Sequence, residues 1–213
     1  MFTASIFEDI VEQERKVESK QIVILLFVRP RADNRRILED FLYLHRRSGR
    51  YCNLYAVGYA DSNAMRNNNE RRNEYRRIDS IWRNELFFSE YYFVQFVEWL
   101  EYTIGWHYSG ETELMVLQHD PESEEVVSFD NYVSINVDKG IRRGYIDSFQ
   151  VLIDELIRSA RNEVTAKEAI RDVLNSRINI PDIISNVIEE CKRIPTPVRD
   201  ILQDRLFYRC RRI

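Results

Sequence analysis

Ile22-Val23-Ile24-Leu25-Leu26-Phe27-Val28 is the stretch on which the fold turns. Seven apolar residues in a row, β-branched at the start, suit a strand covered on both faces rather than one half-open to water. Pro30 ends the run. Asp33 or Asn34 is placed to cap a following helix. Ile37, Leu38, Phe41, Leu42 and Leu44 would line that helix's inner face. The basic turn Arg46-Arg47 and then Gly49 are its stop signals. Asn53–Tyr59 reads as a second strand. A crossover of this length between two strands implies a parallel pair, a βαβ unit.

Working outward, residues 4–19 predict an amphipathic helix from the spacing of Ile6, Phe7, Ile10, Val11 and Val17. Residues 60–88 break the rhythm and read as an insertion, part loop and part exposed helix. Ser89 can cap a helix to about Ile104, with Phe93, Phe96, Val97, Leu100 and Ile104 inward and Gly105 closing it. Glu113–His119 predicts a third strand and Val126–Val137 a fourth at the sheet edge. The short Asp120-Pro121 turn between them implies an antiparallel hairpin. Tyr145, Phe149, Leu152, Ile153, Leu156, Ile157 and Ala160 make the strongest helical stripe. From Glu163 onward the pattern is helical throughout. The expected organisation is an N-terminal helix at 1–20, a mixed-sheet α/β core at 21–163 with a basic insertion at 60–88, and a helical appendage at 164–213.

The chain has 213 residues, with 31 Lys plus Arg against 35 Asp plus Glu. The net charge of −4 hides segregation. Residues 21–83 carry 13 Arg and 7 acids, whereas residues 84–138 carry 12 acids and no Lys or Arg. The 44% apolar fraction is enough for a sizeable core. The longest apolar runs, Ile22–Val28 and Leu114–Leu117, are too short to cross a membrane. The N-terminus lacks a basic stretch before an apolar one, so no secretory signal is expected. Cys52, Cys191 and Cys210 are odd in number and widely spaced. They form neither a disulfide framework nor a metal knuckle, and a reducing cytoplasm suits them.

The order β-α-β-α-β-β-α over residues 21–163 resembles the thioredoxin-like fold. Members with redox activity carry a Cys after the first strand and a cis-proline before the third. The matching stretches here are Val28-Arg29-Pro30-Arg31-Ala32-Asp33, without Cys, and Tyr108-Ser109-Gly110-Glu111-Thr112, without Pro. The resemblance therefore implies the fold without thiol exchange, because that chemistry needs a thiolate.

Other chemistries also lack their residues. There is no Gly-X-X-X-X-Gly-Lys, no Gly-X-Gly-X-X-Gly and no Gly-X-Ser-X-Gly. His45, His107 and His119 are not paired at ligand spacing. The acids near His119-Asp120 offer only a weak cation site, the basis of a third-ranked hydrolase or nuclease reading. No catalytic residue, metal or cofactor is expected. The leading expectation is a non-catalytic protein-interaction module with a polarised acidic and Arg-rich surface, binding a protein partner or its own copies. Its candidate partner-binding residues are Tyr91, Tyr92, Trp99, Tyr102, Glu111 and Glu113. The alternative is a nucleic-acid or phosphate-ligand binder. That reading would use Arg29, Arg31, Arg35 and Arg36 at the end of the first strand, with Arg71, Arg72, Arg76 and Arg77 along a helix face.

Overall fold

A computed structural model describes residues 2–4, 6–17, 22–31, 34–49, 51–67, 72–81, 84–120, 123–161 and 208–210. The continuous apolar run becomes β2 (Ile22–Phe27), every residue of it buried. The crossover helix is α2 (Arg35–Ser48) and the second strand is β3 (Cys52–Val57). β2 and β3 pair in parallel from Ile22 opposite Cys52 to Leu26 opposite Ala56. The expected βαβ unit is thus present.

Around it the chain adds β1 (Phe2–Ala4) and α1 (Phe7–Glu14) before, and β7 (Glu113–His119) and β8 (Val127–Asn136) after. The last of the six strands is β9 (Tyr208–Cys210), and the sheet order is β1-β3-β2-β7-β8-β9. β1, β3 and β2 are parallel, while β7 runs antiparallel to β2, β8 to β7 and β9 to β8. The fold is mixed α/β on a mixed sheet.

Several expectations about the fold need correction. The N-terminal segment is not helical from residue 4, because Phe2–Ala4 extends along β3. β8 is not an edge strand, because Tyr208–Cys210 pairs with Val133–Ile135. That same pairing breaks the all-helical reading after Glu163, and the other expected helices there lie outside the described residues. Finally, the insertion is not a loop plus an exposed helix. It forms β4 (Tyr59–Asp61), α3 (Ser62–Asn67), a 3-10 turn at Arg72–Glu74, β5 (Arg76–Ile81) and β6 (Asn84–Phe88). Its strands make a separate antiparallel sheet in the order β4-β6-β5.

The remaining helices are α4 (Glu90–Ile104), α5 (Val137–Arg142) and α6 (Phe149–Arg161). α4 begins where Ser89 Oγ accepts from Tyr92 N at 3.2 Å and ends at left-handed Gly105. Helix α6 starts at Phe149 rather than Tyr145.

Because side chains alternate along a strand, register sorts the sheet into two faces. Phe27 meets Phe93 and Phe96 of α4 at 6.5 and 6.2 Å, so Val23, Leu25 and Phe27 face α4. Pairing puts Asn53 and Tyr55 of β3 on that face, with Glu113, Met115, Leu117 and His119 of β7. The opposite face carries Ile22, Ile24, Leu26, Leu54, Leu114 and Val116. It is covered by α2 and α6, whose Phe41 and Phe149 rings lie 6.2 Å apart. One face is apolar and the other holds the buried polar groups.

Candidate functional site

Helices α1 and α4 lie on the polar face, and a groove of about 430 Å³ opens between them. The first turn of α1 supplies Phe7 and Glu8; α4 supplies Phe96, Glu98, Trp99 and Tyr102. The i, i+3 spacing of Phe96, Trp99 and Tyr102 puts all three on neighbouring ridges of one helix. Phe96 points to the core, Trp99 is half-buried, and Tyr102 is 93% exposed. Phe7 holds the floor together, stacking on Trp99 at 4.8 Å and meeting Phe129 of β8 at 4.9 Å. Asp9 Oδ2 accepts from Ile6 N at 3.1 Å and secures the start of α1. Glu8 and Glu98 are exposed on the rim. The result is an aromatic trough with a negative edge.

Beneath the far end of α1 lies a second polar group. Glu14 is wholly buried. Its Oε1 accepts from Asn53 Nδ2 at 2.8 Å and from the Tyr55 hydroxyl at 2.5 Å. His119 Nε2 lies 3.2 Å from the Glu14 carbonyl oxygen and 3.7 Å from Oε2. A carbonyl can only accept, so the proton sits on Nε2. Glu14 Oε2 and His119 Nδ1 are buried with no hydrogen-bond partner among the described residues. Burial raises the Glu14 carboxyl above its ordinary range, against the pull of Tyr55, Asn53 and His119. Burial, and then the Glu14 charge, push the Cys52 thiol upward as well.

The expected partner-binding residues separate into three groups. Trp99 and Tyr102 come together in the groove. Tyr91 is exposed, its hydroxyl accepting from Gln95 at 2.8 Å, and Tyr92 stacks on Tyr75 at 5.6 Å toward the other end of α4. Glu111 pairs with Arg142 at 2.7 Å. Glu113 is only 4% exposed, so it lies inside rather than on a contact surface. It accepts from Ser109 N at 2.8 Å and from the Ser134 hydroxyl, which in turn accepts from Trp106 Nε1 at 2.9 Å.

Arg29, Arg31, Arg35 and Arg36 lie where expected, between the end of β2 and the first turn of α2, whereas the second set does not line a helix face. Arg29 Nε donates to Glu90 at 2.8 Å while its guanidinium lies over Phe93 and Tyr108. Arg31 is exposed and near enough to Tyr108 to lower its pKa. Burial wins, leaving that phenol pushed up to about 12. Arg35 pairs with Glu39, Arg36 acts on Asp40, and Arg77 pairs with Glu85 at 3.0 Å. Arg72 lies in the 3-10 turn and Arg76 and Arg77 are neighbours on β5, so they share no helix face. Arg71 lies outside the described residues.

Among the described residues no three His, Cys, Asp or Glu side chains converge as a cation would need. The buried cluster escaped the sequence reading, although a signal existed: Glu14 falls four residues after Ile10, on the apolar stripe of α1. No helix of the described residues is long and apolar enough to cross a membrane. No family model, curated protein or solved structure matches this chain.

Proposed function

We propose that this protein is a non-catalytic interaction module with a thioredoxin-like core, and that its α1–α4 groove receives a basic segment of a partner protein. The observation that carries this is the pairing of aromatic floor and acidic rim. Trp99 and Tyr102 supply rigid contact area at low entropic cost, the residue type that dominates binding hot spots. Glu8 and Glu98 favour lysine or arginine beside the anchor and speed its approach.

The thioredoxin-like reading rests on the β1-β3-β2-β7-β8 order, with three parallel strands and an antiparallel hairpin. Where redox relatives of that fold keep a thiol, Arg29 is stacked and ion-paired, which fits a binding role without thiol chemistry. The pairing of Arg29, Arg35 and Arg77 with carboxylates also favours the protein reading over a phosphate-ligand one. A reducing compartment such as the cytoplasm suits the buried, unpaired Cys52.

Selection from a random displayed-peptide library tests the proposal. Enriched peptides should combine Lys or Arg with an aromatic or aliphatic anchor, and their affinity should fall with salt. Tyr102→Ala and Trp99→Ala should each weaken binding about tenfold or more, the range of an interface hot spot, with far-UV circular dichroism unchanged. Peptides without basic enrichment, or ones indifferent to both substitutions, would remove the proposal's support.

A further inference from the structure

The groove and the buried cluster are two ends of one short helix. Glu14 is in the last turn of α1, and Phe7, the residue stacked on Trp99, is in its first. Eight residues span about 12 Å. A helix this short has little stability of its own, so its position is set by what it packs on. Its buried contacts are few: Ile10 and Glu14 are its fully enclosed residues. How well Glu14 is accommodated therefore determines how firmly the whole helix, and one wall of the groove, is seated.

From this we infer that Glu14 is a proton-operated latch on α1, and that protonating it favours the seated helix and hence the occupied groove. The inference rests on the groove reading above for its effect on partner binding, while the latch itself rests on the cluster alone.

The geometry supplies the mechanism. From β3, Tyr55 and Asn53 both donate to Oε1, and Cys52 lies near enough to feel the charge. From β7, His119 presents its Nε2 proton mainly to the Glu14 carbonyl oxygen. Oε2 keeps a full share of the carboxylate's charge in the buried interior without a bonded donor among the described residues. That is the expensive state of a buried carboxylate. A proton on Oε2 neutralises it while Oε1 keeps both of its donors. The burial-raised affinity of Glu14 for its proton agrees with this assignment.

Linkage makes the effect reciprocal: if the proton favours the seated helix, a ligand in the groove must favour proton uptake. The test uses the full chain and the best basic peptide from the library selection. Affinity and the exchange rates of the α1 amides, corrected for intrinsic pH effects, are measured from about pH 8 to about pH 5. Peptide affinity should rise at least about fivefold on acidification, the low end of ordinary site coupling, as α1 protection rises with it. Glu14→Gln should abolish both pH dependences. Tyr55→Phe removes a donor to the carboxylate, so it should move the midpoint to higher pH, a shift that a purely structural role would not produce.

Should no peptide bind specifically while α1 protection keeps a pH dependence that Glu14→Gln removes, the groove reading fails and the latch stands. A pH response retained in Glu14→Gln, or lost only in His119→Gln, overturns the latch. So does an unmoved midpoint in Tyr55→Phe.

Discussion

At the scale of single residues, Glu14 shows how a charged side chain is kept inside a core. Two donors satisfy one oxygen, and the other is left to the weak attraction of His119 at 3.7 Å. The consequence for stability has a definite sign. A carboxyl whose proton affinity is raised on folding binds more protons folded than unfolded over the interval between its two pKa values. Stability then falls as pH rises through that interval and recovers as pH drops toward the ordinary value of 4.5. Chemical denaturation of the wild type should show this slope, worth about 1 kcal/mol for each pH unit traversed. Glu14→Gln should flatten it, and an unchanged slope in the variant would assign the effect to another group. Sequence reading missed this residue because a lone Glu in an amphipathic helix is ordinarily solvated. Only register shows that Asn53, Tyr55 and His119 converge beneath it.

At the scale of elements, legibility followed the apolar pattern. β2, α2 and β3 were readable because a continuous run, a 3.6-residue stripe and two Gly or Pro stops agree. α4 was readable from its stripe, its Ser89 cap and Gly105. β5 was not, because Arg76-Arg77-Ile78-Asp79-Ser80 offers no apolar alternation, and its pairing with β6 supplies what its side chains do not. β1, at three residues, is too short to carry a period. Trp99 and Tyr102 lie off the core stripe of α4, Trp99 half-buried and Tyr102 exposed. The wall opposite them, Phe7, could not be assigned to the same groove before α1 was seated. One element junction is set by a glycine. Gly58 has φ +77°, and a Cβ there would lie 2.8 Å from Phe93 Cβ and 3.1 Å from the Ser89 carbonyl. Its N–H donates to Ala4 O and its carbonyl accepts from Ser89 N, joining β1, β3 and the start of α4. Gly58→Ala combines left-handed strain with a clash that backbone must absorb. It should cost about 2–4 kcal/mol, read as a lower denaturation midpoint at unchanged m-value. Gly49→Ala, with open space around the Cβ, should cost less.

At the scale of the molecule, the charge segregation maps onto structure in a way the counts alone do not show. The wholly acidic stretch 84–138 includes β6, α4, β7 and β8, yet Glu113 within it is internal and Glu90, Glu101 and Glu111 are engaged with Arg29, His107 and Arg142. Glu85, Glu98, Glu124 and Glu125 of this stretch stay exposed, and of these Glu98 lines the aromatic groove. The same scale shows how the sheet is closed. Val133, Ser134 and Ile135 of β8 pair with Cys210, Arg209 and Tyr208, so one sheet edge is covered by the far end of the chain. A partner strand so distant in sequence costs loop-closure entropy and forms late, which makes β8 the exposed template in any species lacking β9. Truncation before Tyr208 should leave the β1-β3-β2-β7-β8 pairing intact by circular dichroism but increase light scattering on mild heating. Equal aggregation of the full chain and the truncated one would mean that β9 does not protect this edge, and that protection must come from the twist and charge of β8 itself.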